Sequence, residues 1–303
     1  MSSNIVMSAS NAKTQPSFKS ILNSEFFKLL HNRTVTIFAA IIFGIFAINI
    51  FFSIAFFTNV SAIASDLTGL NLVVSQALQT NMNWIGIMMI FITVMAIGQD
   101  YQNGTIRVIL ARGSGRMRVL AAKYTAALLY VFFVLVIQYI LTSIIMIYPI
   151  SLSGQNFFGS QPSHFFQEIA LFFLVTIVSV IATGLMAAAI TTIGRSLTFG
   201  FAISLLWFPV ESILKVMVLL FGVASFKNPE TAYNLTNNFL GSALSNLGSA
   251  VISHFGQISV PTTLNGYSFA PPSALTDGII IAVYSAIFFV GMFAYVRSRD
   301  VHN

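Results

Sequence analysis

The residues best suited to a functional role lie in one short basic segment, residues 99–123. Its single acid is Asp100, and its five bases are Arg107, Arg112, Arg116, Arg118 and Lys123. Gly104 at one end and the pair Gly113 and Gly115 at the other are typical of helix ends, and they leave room for about two turns of helix. A short helix with a basic edge is suited to docking into a groove on a partner protein. The alternative is that these bases only hold the segment at a membrane surface and bind anionic headgroups.

An ionisable pair inside a long apolar run forms a second candidate site. Glu211 and Lys215 stand at i and i+4, a spacing that lets them pair on one helix face. Charges at membrane depth are costly, so their presence calls for a role. Pro209 just before them predicts a kink or a break in the helix. Two hypotheses stay open: Pro209 breaks the span and Glu211 faces the outer part of a translocation pathway, or the pair neutralises itself near the interface and serves packing only.

Several catalytic chemistries are excluded by residues that the chain lacks. It has no cysteine, which removes disulfides, thiolate metal sites and cysteine nucleophiles. No Gly-Lys dipeptide occurs, so the phosphate-binding loop of ATPases is absent. Neither a GxSxG nucleophile motif nor an HExxH zinc motif is present. We therefore expect a chain that is not an enzyme and that holds no metal or cofactor of its own.

The elements that must position these residues are membrane-spanning helices. Only 7% of the 303 residues are charged and 56% are hydrophobic, whereas soluble proteins carry about 25% charged residues. The uncharged runs are long enough to cross a bilayer and lack the alternation of barrel strands. They predict an all-α, polytopic membrane protein with one transmembrane domain over 1–303. Its six spans are expected at 35–57, 81–98, 124–148, 169–193, 197–223 and 278–296.

The distribution of charge along the chain predicts the orientation of these spans. All 14 Lys and Arg residues except Lys215 and Lys227 fall on one side of the membrane, which the positive-inside rule makes the cytoplasmic side. Both termini are therefore expected in the cytoplasm. Four acids are expected outside: Asp66, Glu168, Glu230 and Asp277. The net charge of +6 is then a signal of topology, and we expect no nucleic-acid partner.

Several segments outside the spans have a predicted form. A flexible tail is expected over 1–16, and an amphipathic helix at the cytoplasmic interface is expected over 17–33. The apolar stripe of that helix consists of Phe18, Ile21, Leu22, Phe26, Leu29 and Leu30. The external segment 224–276 is expected to contain a helix over 240–258, packed onto or dipping into the outer membrane face. A shorter external helix over 63–78 is predicted before the second span.

The basic segment also carries a family pattern. It reads Asp100-Tyr101-x-x-Gly104-Thr105-Ile106-Arg107, then Leu110-Ala111-Arg112-Gly113-x-x-Arg116, with Lys123 opening the next span. This pattern resembles the signature of six-span permeases of ATP-binding-cassette exporters of the ABC-2 type, whose ATPase is a separate polypeptide. Glu25 ahead of the first span and the closing residues 297–301 are similar to the same family. Asp100 stands where Glu is common in that family, and Gly113 where many members have Pro.

The resemblance implies the transmembrane subunit of an exporter in a prokaryotic plasma membrane. Two permeases, identical copies or sister chains, would form the pathway, and ATP and Mg²⁺ would bind to partner ATPase subunits below the cytoplasmic coupling loop 99–123. The residues assigned to ATPase coupling are Glu25, Asp100, Tyr101, Gly104, Thr105, Arg107, Arg112, Arg116 and Lys123. The pathway candidates are Pro209, Glu211 and Lys215. The alternatives are an ion-coupled carrier or channel acting without an ATPase, and a non-transporting membrane protein that borrows one.

Overall fold

A computed structural model describes residues 17–59, 67–104, 115–152, 162–225, 229–254, 262–264, 267–269 and 272–298. Within these ranges the chain forms nine helices: α1 (Phe18–His31), α2 (Arg33–Asn59), α3 (Leu67–Gln102), α4 (Arg116–Leu152), α5 (Pro162–Gly194), α6 (Leu197–Ser225), α7 (Pro229–Asn237), α8 (Leu240–His254) and α9 (Ala274–Ser298). Two short strands, β1 (Thr262–Leu264) and β2 (Tyr267–Phe269), pair antiparallel. The all-α prediction is confirmed, and this hairpin is its one departure within the described ranges.

Six of these helices are long and apolar enough to cross a membrane. They are α2, α3, α4, α5, α6 and α9, and each of them contains one predicted span. Apolar runs of this length must be helical in a bilayer, because lipid offers no partner to a free backbone N–H or C=O group. The chain is therefore a polytopic membrane protein, as the composition predicts.

Helix α3 is the central helix of the bundle. In its apolar window 72% of the residues are buried, against 6% in α6 and 17% in α9. Met82, Ile85 and Met89 recur along its buried face. The prediction of a separate external helix over 63–78 is wrong, because α3 runs without a break from Leu67 to Gln102. No glycine or proline interrupts the helical spacing between residues 70 and 85.

Helix α6 contains Pro209 and nevertheless continues from Leu197 to Ser225. The predicted break of this span is therefore wrong. Proline has no N–H group, so the carbonyl of Leu205 loses its partner within the helix. Leu205 and Pro209 line the same cavity, which places this irregular stretch of backbone beside an open space.

Small residues on α5 allow the neighbouring helices to approach closely. Ala182, Ala187 and Ala188 are buried there. At Gly184 a Cβ atom would collide with the side chain of Met89 on α3 and would lie 3.1 Å from Cε2 of Tyr124 on α4. A side chain at this position would require Met89 and Tyr124 to shift, so glycine favours the close approach of the three helices.

One end of the bundle, which we name the Lys123 end, is closed by apolar packing of helix ends. Ile97 of α3, Leu120 of α4, Ala188 of α5 and Met292 of α9 form one buried cluster there. The C-terminal parts of α3, α5 and α9 and the start of α4 therefore share this end.

The opposite end, which we name the Lys215 end, is covered in part by α8. Leu240, Ala243 and Leu244 of this helix pack against Ile90 of α3 and Ile281 of α9. The predicted helix over 240–258 is thus confirmed as far as His254, and residues 255–258 lie outside the described ranges. The helix is part of the folded bundle because its apolar face is buried between the spans.

Helix α1 begins where the sequence predicts. Oγ of Ser17 accepts a hydrogen bond from the N–H of Ser20 at 3.2 Å and caps the first turn. The apolar stripe turns mainly toward α4: Leu29 is buried, and the ring centre of Phe26 lies 6.2 Å from that of Phe133. The predicted tail over 1–16 lies outside the described residues.

Candidate functional site

Three residues of the predicted coupling set meet in one ion network at the Lys123 end. Nζ of Lys123 lies 2.6 Å from Oε2 of Glu25 and 2.6 Å from Oδ2 of Asp100. It also donates to the carbonyl of Ala96 at 3.0 Å. Nζ of Lys28 lies 2.7 Å from the other oxygen of Glu25. Glu25 and Lys123 are only 7% and 4% exposed, so the network joins α1, α3 and α4 away from solvent.

Burial makes this network a strong constraint on the three helices. Taking an ion out of water costs several kcal/mol, and that cost is offset only while opposite charges remain in contact. The ammonium group of Lys123 donates hydrogen bonds to Glu25 and to the carbonyl of Ala96, and it forms an ion pair with Asp100. Moving any one of the three helices away would separate buried opposite charges. We therefore expect the three helix ends to move together.

A second polar contact ties the junction between α1 and α2 to the end of α3. Nδ2 of Asn32, the residue between the two helices, donates to Oε1 of Gln99 at 3.2 Å. Oδ1 of Asn32 accepts from the N–H of Thr34 at 3.0 Å. Gln99 directly precedes Asp100 in the chain. The amide contact therefore supports the ion network from the adjacent position.

The remaining predicted coupling residues flank the network or lie outside the described ranges. Tyr101 is half-buried and packs against the apolar cluster at the Lys123 end. Gly104 has a φ of +66°, in the left-handed region that favours glycine, and its N–H donates to the carbonyl of Tyr101 at 3.3 Å. Arg116 is the first residue of α4. Thr105, Arg107, Arg112 and the side chain of Arg116 are outside the described part of the chain.

A cavity of about 570 Å³ lies between α3, α5, α6 and α8. All three pathway candidates, Pro209, Glu211 and Lys215, line it. Its other polar lining residues are Asn83, Ser179, Thr183, Ser212, Ser242 and Ser245. The rest of the wall is mainly apolar. Cavities of about 300 to 1,000 Å³ with such walls bind small molecules.

Glu211 uses both carboxylate oxygens, and one of them holds the first turn of α8. Oε2 accepts from Nε1 of Trp207 at 3.0 Å, and Oε1 accepts from the N–H of Ser242 at 3.1 Å. The N–H of Gly241 is a further donor. N–H groups in a first helical turn have no partner inside the helix, and negative charge is favourable there. Glu211, a residue of α6, therefore caps the N-terminus of α8.

Gly241 makes this capping contact possible. A Cβ atom at this position would lie 2.9 Å from Oε1 of Glu211 and 2.9 Å from Cδ1 of Phe208. Both distances are shorter than ordinary van der Waals contact. A side chain here would therefore push α8 away from the carboxylate.

Lys215 lines the same cavity one turn farther along α6. Its spacing from Glu211 allows an ion pair, but among the described residues no ion pair joins the two. They interact only at longer range, because Glu211 is turned toward α8. The self-neutralised pair is therefore not formed among the described residues, and the pathway role of Glu211 stays a prediction. Glu211 caps a helix, while the ammonium group of Lys215 stays available to the cavity.

Two of the four acids expected on the outer side, Glu168 and Asp277, lie within membrane helices and not in the connections between them. Glu168 belongs to α5 and is 3% exposed, and Asp277 belongs to α9 and is fully buried. Oε1 of Glu168 and both carboxylate oxygens of Asp277 lack a hydrogen bond of good geometry, although Asn246 approaches Asp277. Phe172 follows Glu168 by four residues, and Ile281 follows Asp277 by four residues. Both of these apolar residues are buried. That helical spacing is the signal in the sequence that could have placed them.

Comparison with known proteins does not assign the chain to a family. No protein-family model matches it, and no curated protein matches it in sequence. Within the described ranges, no three His, Asp or Glu side chains form a group that could hold a metal ion. The resemblance to ABC-2 permeases therefore rests on the sequence pattern. The structure establishes a polytopic membrane protein with six apolar helices, an ion network at one end and a cavity toward the other.

Proposed function

We propose that the chain is the transmembrane subunit of an ATP-driven exporter whose ATPase is a separate polypeptide. The observation that carries this proposal is the network of Glu25, Asp100 and Lys123. Lys123 contacts both acids although Glu25 is far away in sequence, and Asp100 and Lys123 lie near the two ends of segment 99–123. In the proposed orientation the Lys123 end faces the cytoplasm, and the chain carries no catalytic group of its own.

The network supports a route by which an ATPase moves the membrane helices. The basic segment joins the end of α3 to the start of α4. A movement of a partner bound to this segment therefore displaces the ends of both helices. Lys123 connects these two helices to Glu25 on α1. The three helices then respond as one body, and closely packed elements of this kind switch between discrete arrangements. Because α3 is the central helix, its displacement reaches α5 and α6.

The cavity supports a substrate site that is coupled to this movement. Met82, Asn83 and Ile90 of α3 form part of its wall, so a displacement of α3 changes its shape. Helix α6 forms another part and has only 6% of its apolar window buried. Its uncovered face leaves room for a second permease beside the cavity. The substrate leaves at the Lys215 end, which the proposed orientation places outside.

Substituting both Arg107 and Arg112 by Ala is expected to remove the ATPase from the purified complex. Arginines at the centre of an interface often contribute about 2 kcal/mol or more each, so the affinity for the partner should fall by roughly thirtyfold for each arginine removed. The tagged chain is purified from its native membrane, and both the retained polypeptide and the ATP hydrolysis in the eluate are measured.

Arg33→Ala is the matched control for this experiment. It removes an exposed base at the start of α2, outside segment 99–123, and should leave the ATPase bound. The proposal fails if the unmodified chain retains no ATP-hydrolysing partner. It also fails if the double substitution and the control retain the partner equally.

A second candidate function, an ion-coupled carrier acting without an ATPase, is favoured by the buried acids Glu168 and Asp277. Intramembrane acids are costly and often belong to proton or cation paths. A carrier of this kind should admit protons into proteoliposomes that contain the purified chain alone, and Asp277→Asn should slow this entry several-fold. The exporter proposal instead predicts equal, slow acidification for the unmodified chain, for Asp277→Asn and for vesicles without protein. A pH-sensitive dye inside the vesicles distinguishes the two functions.

A further inference from the structure

We propose that the cavity binds a single-chain anionic amphiphile, such as a fatty carboxylate or an alkyl phosphate, with its charged head at Lys215. The inference rests on the proposed function, because it names the class of compound that the exporter moves. The cavity wall contains two charged residues, and their availability to a ligand differs. Among the described residues the positive one has no ion-paired partner, so it can bind a charged group from the cavity.

The negative charge in the wall is already engaged by the protein. Both oxygens of Glu211 accept hydrogen bonds, from the indole of Trp207 at 3.0 Å and from the N–H of Ser242 at 3.1 Å. Both donors are fixed by helices, and Ser242 is in the first turn of α8. A cation in the cavity would have to compete with these donors. Glu211 is therefore poorly suited to bind a basic ligand.

The positive charge interacts with Glu211 at longer range, without an ion pair among the described residues. Lys215 lines the cavity, and within the described ranges it forms no ion pair with a carboxylate. A charge at this depth is favourable only when something compensates it. An anionic group bound from the cavity would supply that compensation. The wall thus selects a ligand with a negative head.

Several apolar side chains of the cavity wall can hold an apolar chain. Leu205 and Phe208 of α6, Ile87 and Ile90 of α3 and Leu244 of α8 line it. Along α6, Leu205 lies about 15 Å deeper than Lys215, counted at 1.5 Å per residue, a length that a medium acyl chain spans. The polar residue Asn83 lies on the same helix as Ile90 and about 10 Å nearer the Lys215 end. The charged head and the apolar tail of the ligand therefore occupy different parts of the cavity.

This arrangement matches the orientation of an amphiphile in a bilayer. In the proposed orientation, the Lys215 end faces outward, so the head lies near the outer membrane surface and the tail points toward the middle of the bilayer. An amphiphile with this pose can leave the cavity into the outer leaflet without turning over.

Trp207 provides a direct probe of the cavity. The chain contains two tryptophans, so Trp84→Phe leaves Trp207 as the only one, and its indole is hydrogen-bonded to Glu211 in the cavity wall. The variant is placed in nanodiscs of neutral phosphatidylcholine and titrated with dodecanoate that is brominated at mid-chain, a short-range quencher of tryptophan fluorescence. We expect saturable quenching. Adding Lys215→Gln should weaken the apparent affinity by about tenfold to a hundredfold, because a charge-assisted hydrogen bond is lost.

Matched ligands and variants test whether charge is the cause. Lys215→Arg should retain the affinity for dodecanoate, and brominated dodecanol should bind all three variants alike, which also shows that the cavity remains intact. Unchanged affinity for dodecanoate in Lys215→Gln would overturn the proposal. So would tighter binding of the brominated trimethylammonium analogue than of the carboxylate. These measurements use the chain alone. A negative result here would therefore leave co-purification of the ATPase unaffected, and loss of the ATPase would leave the binding of dodecanoate unaffected.

The source of the amphiphile is decided by competition. Displacement of brominated dodecanoate when the disc contains phosphatidylglycerol would support an anionic bilayer lipid as the natural ligand. Displacement by soluble dodecyl phosphate, with no effect of phosphatidylglycerol, would support a free amphiphile.

Discussion

Replacing Lys123 with Met is expected to lower the free energy of unfolding by about 3 kcal/mol, with loss of the ATPase from the complex. Removing one partner of a buried ion pair costs about 3–5 kcal/mol, because the remaining charge stays in a region of low polarity. The lower value applies here because Glu25 keeps its contact with Lys28 at 2.7 Å. Asp100 loses its 2.6 Å contact with Lys123. The free energy can be measured by unfolding in mixed detergent micelles.

Compensating substitutions separate the charge effect from a packing effect. The triple variant Glu25→Gln, Asp100→Asn, Lys123→Met removes the network as a whole, and it should recover most of the lost stability, because no buried charge is left unpaired. The exposed residue Lys19 on α1 provides the control Lys19→Met, for which we expect a change within about 0.5 kcal/mol. A triple variant as unstable as Lys123→Met would contradict the assignment of the effect to buried charge.

The triple variant also tests the coupling role. If the network transmits motion from the ATPase, then this variant should be folded and should still bind the ATPase through segment 99–123, while substrate-stimulated ATP hydrolysis falls. Lys123→Arg keeps the charge and should retain part of that stimulation. Full stimulation in the triple variant would show that the network serves stability only.

Replacing Glu211 with Ala is expected to loosen α8 while the rest of the bundle stays folded. The substitution leaves the indole N–H of Trp207 and the N–H groups of Gly241 and Ser242 without their acceptor. Each buried donor left unpaired costs about 1–3 kcal/mol, and the loss of a helix cap costs about 0.5–2 kcal/mol. Backbone hydrogen exchange in α8 should therefore become at least about tenfold faster.

The pattern of exchange along the chain tests this role of Glu211. The increase should be confined mainly to α8, and exchange in α3 and α5 should stay slow. Ser212→Ala is the matched control, because Ser212 is exposed on the same helix and donates only to the carbonyl of Phe208 at 2.9 Å. Equal exchange of α8 in Glu211→Ala and in the unmodified chain would show that the cap does not hold this helix.

The loosening of α8 has a consequence for transport in the proposed exporter. Gly241, Leu244 and Ser245 of α8 line the cavity, so α8 forms one wall of the substrate site. A permease with a loose wall should retain its ATPase, because the Lys123 end is untouched, and should export less substrate. Glu211→Gln, which keeps one acceptor oxygen, should have an intermediate effect. Normal export by Glu211→Ala would separate α8 from the transport function.

Much of the fold is predictable from the sequence because a bilayer imposes simple rules. A segment that crosses lipid must be apolar, helical and about 20 residues long, and six runs of this kind are visible without a structure. The signals that start and end helices act over only a few residues, so they can also be recognised in the sequence. Ser17 caps α1, and Gly104 adopts the left-handed conformation that ends α3. Such features depend on neighbouring residues, so their positions can be predicted.

Contacts between distant residues could not be predicted in the same way. The family pattern marks Glu25, Asp100 and Lys123, but only the packing of α1 and α3 against α4 brings their charges to 2.6 Å. The spacing of Glu211 and Lys215 favours a pair on one helix, and the structure instead gives Glu211 a partner in α8. The backbone donors of α8 hold the carboxylate toward that helix, so tertiary packing overrides the local preference.

The sequence by itself therefore determined the six membrane helices, the basic segment and the ionisable residues that lie within apolar runs. The tertiary structure alone decided which charges are paired, which acids are buried and which ammonium group faces a cavity. The physical reason is the range of the two effects. Hydropathy and capping act within one segment, whereas the pairing of a buried charge depends on the groups that neighbouring helices bring within about 3 Å of it.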